Sequence, residues 1–79
     1  MREPIIVPDL GVADVVLSVW YVKPGEEVFR GDRLVELLLG SATFDVTATA
    51  AGILTEHDAV PGDRVRSGQV VGCIKTSVD

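Results

Sequence analysis

The chain repeats itself at an offset of 37 residues. Pro24-Gly25 recurs as Pro61-Gly62, Val28 as Val65, Gly31 as Gly68, Leu34 as Val71 and Leu37 as Ile74. Each copy reads as a Pro-Gly turn, a short extended piece with an inward valine, a second glycine turn and then a core strand. Proline presets φ at the second position of a turn and glycine supplies positive φ at the third, which is what a type II turn requires. Neither copy has a second layer against which to bury its apolar face, so the two must pack face to face as a small sandwich. The period fits neither a solenoid nor a propeller, and two copies are too few for an array.

The remaining sequence agrees with an all-β reading. Glycines and prolines interrupt the chain every several residues, and the apolar runs are rich in valine and isoleucine, which disfavours helix. Strands are predicted at roughly Ile5 to Val7, Val15 to Tyr21, Leu34 to Leu39, Ala42 to Thr47, Gly52 to His57 and Val70 to Lys75, with brief extended pieces around Val28 and Val65. With 79 residues the chain makes one domain over its whole length, 1–79.

Several function classes are disfavoured by composition. The net charge is −5 and the seven Lys and Arg are scattered from Arg2 to Lys75, which is the wrong distribution for binding phosphate backbones. The longest nearly apolar stretch, Val15 to Val22, is broken by Ser18 and is far too short to span a bilayer. Glu3 and Pro4 stand where a signal peptide would place its apolar region. Cys73 is the one cysteine, so no intrachain disulfide or cysteine-based zinc site is available. These features predict a cytoplasmic protein that binds neither nucleic acid nor membrane.

The segment from Leu34 to Val46 is two strand-like runs joined by Gly40-Ser41. Glycine followed by serine suits a two-residue type II′ hairpin. The register follows from that turn: Leu39 faces Ala42, Leu38 faces Thr43, Leu37 faces Phe44, Glu36 faces Asp45 and Val35 faces Val46. Alternation then places Val35, Leu37, Phe44 and Val46 on the core face and Glu36, Leu38, Thr43 and Asp45 on the outer one. Glu36 opposite Asp45 is a like-charge pair that is destabilising when both are ionised. As an acid/base dyad it would need a pocket to shift its pKa values, and a hairpin face provides none. Leu38, with Leu39 if that residue frays outward, makes an apolar knob beside the tip that is suited to docking a partner or a second copy.

At this hairpin the chain resembles the lipoyl and biotinyl carrier domains of 2-oxo acid dehydrogenase acyltransferases and biotin-dependent carboxylases. The resemblance is carried by Val7-Pro8-Asp9-Leu10-Gly11, Val22-Lys23-Pro24-Gly25-Glu26-Glu27-Val28, Gly31-Asp32-Arg33-Leu34-Val35-Glu36, Ala51-Gly52-Ile53-Leu54 and Pro61-Gly62-Asp63-Arg64-Val65 with Gly68. Individually weak, these motifs are specific in this order and spacing, and they cover nearly the whole chain. The resemblance implies a flattened barrel of two four-stranded antiparallel sheets with quasi-twofold symmetry. It also implies lipoate or biotin on a lysine within Asp-Lys-Ala at the hairpin tip.

Here Gly40-Ser41-Ala42 occupies that tip, and the lysine position falls on Ser41. A serine hydroxyl without an adjacent base is a poor nucleophile toward an activated carboxylate, and its product would be a hydrolysable ester. Lys23 precedes a Pro-Gly turn. The repeat maps Leu38 onto Lys75 and the tip onto Ser77, which puts Lys75 at the opposite end of the domain. No lipoyl or biotinyl group is therefore expected, and no metal. The expected function is non-catalytic: a scaffold or interaction module related to acyl-carrier domains, acting through Leu38, Leu39, Gly40, Ser41 and Thr43 on a protein partner, such as an acyl-transfer or dehydrogenase complex, or on a second copy as a homodimer. The alternative is a true lipoyl carrier component of a 2-oxo acid dehydrogenase acyltransferase system. Of the other polar candidates, His57 reads as a solvated loop histidine, Cys73 as partly exposed because the repeat maps it onto outward-facing Glu36, and Trp20-Tyr21 as core and rim packing.

Overall fold

The computed structural model describes residues 1–76. Its strands in chain order are β1 (Arg2–Ile6), β2 (Val15–Trp20), β3 (Glu27–Val28), β4 (Arg33–Leu39), β5 (Ala42–Thr47), β6 (Gly52–His57), β7 (Arg64–Val65) and β8 (Val70–Thr76). They form two four-stranded antiparallel sheets, β1-β8-β6-β3 and β5-β4-β2-β7. The two orders are the same once 37 residues are added to β2, β3 and β4, with β5 and β1 as the matching outer strands. The sequence repeat is thus a structural quasi-twofold. The mapping of the tip onto Ser77 lies outside the described residues.

The two copies exchange strands. β3 belongs to the first copy but pairs with β6 of the second, while β7 of the second pairs with β2 of the first. Each Pro-Gly turn is held by the opposite copy. The Gly25 N–H donates to Leu54 O at 2.7 Å and the Leu54 N–H to Glu26 O at 3.0 Å; 37 residues later the Gly62 N–H donates to Leu17 O at 2.8 Å and the Leu17 N–H to Asp63 O at 2.9 Å. Both turns have the expected geometry, with φ of +96° at Gly25 and +97° at Gly62. The Glu26 N–H donates to Lys23 O and the Asp63 N–H to Val60 O, both at 3.0 Å. A carboxylate closes each turn from the side chain: Glu26 accepts from the Lys23 N–H at 2.8 Å and Asp63 from the Val60 N–H at 3.0 Å.

Between the sheets the apolar positions of the repeat meet. Val28, Val65, Leu34, Val71, Leu37 and Ile74 are all buried, joined by Val7, Val15, Leu17, Val35 and Leu54. Even the irregularities are duplicated, since the ladder shifts register around Ser18 in β2 and around Thr55 in β6. Such bulges sharpen local twist and help to curl the sheets around one another.

One contact along the seam was not foreseen from sequence. Trp20 and His57 are repeat equivalents, and their rings stack at 4.0 Å between centroids with 11° between planes. The polar atoms reciprocate: the Trp20 indole N–H donates to Ala59 O and His57 Nε2 lies against Val22 O, each at 2.9 Å. Val22 and Ala59 are themselves 37 residues apart. A carbonyl only accepts, so His57 carries its proton on Nε2. His57 is therefore not a solvated loop residue: it is half-buried between the copies. Cys73 is also more enclosed than expected, at 9% exposure, because β8 is an interior strand that flanks it with Pro4 on one side and Glu56 on the other.

Two stability measurements follow from this arrangement. His57→Ala removes the stack and leaves the Val22 carbonyl without its donor, and should cost about 1–3 kcal/mol, whereas His57→Phe, which retains a ring, should cost less; urea unfolding of both variants reads the difference. Gly25→Ala and Gly62→Ala meet no atom within 4 Å at the new methyl, so the left-handed φ alone should set the penalty, about 1–2 kcal/mol and equal in the two copies.

Candidate functional site

The hairpin β4–β5 forms as its turn dictates. Gly40 has φ of +66°, and among the described residues no other residue type adopts a positive φ, so Ser41 stays on the negative side, as a type II′ turn requires. The pairing runs Leu39↔Ala42, Leu38↔Thr43, Leu37↔Phe44, Glu36↔Asp45 and Val35↔Val46, in agreement with the register derived from the turn. Gly40, Ser41, Ala42 and Thr43 are exposed.

The apolar part of this surface differs from expectation in two ways. Leu39 does not fray outward but packs against the core cluster. Leu38 stands on the outer face yet is only half-exposed, because Val16 on β2 lies opposite it on one side and Thr43 on the other. The knob is thus a low apolar ridge, Val16–Leu38, ending at Thr43. Phe44, by contrast, was expected in the core and is 42% exposed. The alternation assigns its side chain to the inner face, but β5 is the outermost strand of its sheet, so Phe44 has a cross-strand neighbour, Leu37, on one side only.

Further along the same face, Glu36 and Asp45 do stand opposite one another, and their repulsion is relieved by Tyr21, read from the sequence only as rim packing, and by Arg33, which the sequence did not single out. The Tyr21 hydroxyl lies 3.1 Å from Asp45 Oδ1 and 3.2 Å from Glu36 Oε2, so its proton serves both carboxylates. Arg33 Nη1 lies 3.6 Å from Asp45 Oδ2, and its guanidinium sits 5.0 Å above the Tyr21 ring. Partial desolvation, followed by the hydrogen bonds and negative charge of Asp45 and Glu36, pushes the Tyr21 phenol above its ordinary value of 10.0. This exposed network ties β2, β4 and β5 together across the face. The bulge around Ser18, a structural feature with no sign in the alternation, moves Val19 opposite Glu36 and leaves Tyr21 to reach over both carboxylates.

Chemically the hairpin has little to work with. Ser41 has no histidine to activate it, since His57 is engaged with Trp20 and Val22. Among the described residues no group of His, Cys, Asp or Glu is placed to hold a metal ion. A shallow groove between the edges of the two sheets is lined by Pro4, Ile5, Ile6, Leu34, Val46 and Thr47 with Glu3 at its rim, and so offers no paired titratable groups. The two lysines lie away from the tip, Lys23 in the first Pro-Gly turn and Lys75 on β8 between Arg2 and Ile53.

Similarity to known proteins follows the same geometry. The chain is 38% identical over 73 residues to the dihydrolipoyllysine-residue succinyltransferase component of the 2-oxoglutarate dehydrogenase complex of Escherichia coli K12, covering 90% of this chain and 18% of that protein. The corresponding component from Haemophilus influenzae is 36% identical over 79 residues, covering 98% of this chain and 19% of the relative. The chain therefore spans about a fifth of the length of these curated relatives. Among solved structures, the lipoyl domain of the 2-oxoglutarate dehydrogenase complex from Azotobacter vinelandii superposes with a TM-score of 0.75 at 31% identity, covering 91% of this chain and 94% of that one. The family model Biotin_lipoyl, described as "Biotin-requiring enzyme", matches residues 3–74, and with its duplicated sheets and projecting hairpin the chain belongs to the biotin/lipoyl domain family.

Proposed function

We propose that this chain is a lipoyl-type docking domain that serves a cytoplasmic 2-oxo acid dehydrogenase-type assembly without itself bearing lipoate or biotin. The observation that carries this reading is the exposed apex of the β4–β5 hairpin, where Gly40-Ser41-Ala42 stands in place of a lysine-bearing tip. An acyl arm needs an amine, because only the amide withstands repeated turnover, and Ser41 offers an unassisted hydroxyl. The outer face of the hairpin remains suitable for protein contact: the Val16–Leu38 ridge supplies apolar area, Thr43 a hydroxyl, and the Tyr21–Arg33–Glu36–Asp45 network a rigid polar border. A small apolar centre with a polar rim is the usual composition of a modest protein interface.

The names of the relatives favour a second reading, in which the domain carries a lipoyl group within an acyltransferase. Each of those proteins is named for a dihydrolipoyl-lysine residue, and the similarity extends over nine-tenths of this chain. Under that reading the group would have to be on Lys23 or Lys75, far from the hairpin.

Intact-mass measurement of the protein from its native host separates the two readings. The bare polypeptide mass is expected; an added lipoyl or biotinyl group mapped to Lys23 or Lys75 would establish the carrier instead. The double variant Gly40→Asp/Ser41→Lys, in which the hairpin turn must rearrange because the present one favours glycine at position 40, should become a substrate for a lipoate-attaching ligase while the unaltered chain stays inert. Leu38→Asp should abolish capture of a 2-oxo acid dehydrogenase component while lowering stability by only about 1 kcal/mol, Leu38 being half-exposed; unchanged capture would show that the ridge is not the contact.

A further inference from the structure

Four strands border the sheets among the described residues: β1, β3, β5 and β7. A bordering strand exposes a row of unpaired backbone N–H and C=O groups and will pair with another strand unless something prevents it. Three of the four are protected. β3 and β7 are two residues long. β1 carries Pro4 in mid-strand between charged and apolar neighbours, and proline interrupts a ladder. β5 is six residues long, Ala-Thr-Phe-Asp-Val-Thr, with no proline and no basic residue, and its single charge is already engaged by Tyr21 and Arg33. The internal repeat supplies the comparison: β5 and β1 hold equivalent places, and only β1 is guarded.

The register of β5 fixes what its open side presents. A two-residue hairpin makes Leu39 and Ala42 a hydrogen-bonded pair, so Ala42, Phe44 and Val46 direct their backbone groups to β4 while Thr43 and Asp45 direct theirs outward. Between these two outward sets stands Phe44, exposed at 42%.

We propose that β5 is a self-pairing edge through which two copies of the chain join antiparallel, with Phe44 opposite the partner's Phe44 at the twofold. In this register Thr43 and the partner's Asp45 exchange backbone hydrogen bonds, and the threonine hydroxyl donates to a carboxylate that has acceptor sites to spare. The two phenyl rings fall on the non-hydrogen-bonded pair, where side chains approach closest. Other registers are worse. Centring on Asp45 sets like charges directly opposite, and centring on Thr43 carries Asp45 past the partner's strand to the hairpin turn. The contact uses the same patch on both copies and consumes the one unguarded edge among the described residues, so association stops at a dimer with one continuous eight-stranded sheet. So short a pairing is a weak interface, and two chains of net charge −5 repel, so added salt strengthens it. The proposal concerns the strand edge and does not depend on the status of Ser41.

Sedimentation equilibrium up to millimolar concentration, at low and high salt, should give a monomer–dimer equilibrium that tightens with salt. Phe44→Lys should remain folded by urea unfolding and sediment as a monomer throughout. In a Cys73→Ala background, Phe44→Cys should form a disulfide dimer on mild oxidation, whereas Thr43→Cys, which faces a different residue of the partner, should not. A chain that stays monomeric at every concentration, a dimer that survives Phe44→Lys, or cross-linking equal at the two positions would overturn the proposal.

Discussion

Neither repeat of this chain completes its own sheet. The N–H groups of Gly25 and Gly62 reach across to carbonyls of Leu54 and Leu17, and the short strands β3 and β7 complete the sheets of the opposite copy. Because each turn finds its partner in the other copy, burial of the core and closure of the turns form one cooperative event. A chain with a single small core and no disulfide has few other sources of stability. The Trp20–His57 stack adds a contact on the same seam, with the indole Nε1 and His57 Nε2 each satisfied by a carbonyl just beyond the other ring.

That scaffold explains why the hairpin is well positioned and yet chemically quiet. β4 is an interior strand, paired on both sides, so the outer face it shares with β2 and β5 is held rigid. A rigid projecting hairpin is the architecture on which the family mounts its lysine. On the proposed reading the geometry of that hairpin is kept while Ser41 stands where the amine would be. What the hairpin presents is an exposed apex beside the Val16–Leu38 ridge of apolar surface, which is the basis of the proposed docking role.

Much of this was legible in the residues because it is local or repeated. Pro-Gly and Gly-Ser dictate their turns through φ, and the turn in turn dictates which residues face one another, so the register from Leu39 to Val46 could be derived without any tertiary information. What could not be derived was coverage. Period-two alternation assigns Phe44 to the inner face but does not say that β5 has no outer neighbour, and the repeat maps Cys73 onto outward-facing Glu36 without revealing that β8 has neighbours on both sides. His57 was misread for a related reason: its importance lies in a partner 37 residues earlier, and applying the offset to Trp20 as well as to the glycines and valines would have paired them. The bulges around Ser18 and Thr55 left no sign in the alternation, and with them the reach of Tyr21 over Glu36 and Asp45 stayed hidden.

The position of Trp20 has a practical corollary. It is the sole indole of the chain and lies flat against the sole imidazole, on the boundary between the two copies. Its emission therefore reports on the separation of the two halves rather than on either half alone, giving an intrinsic optical gauge of whether the duplicated units come apart together or in sequence.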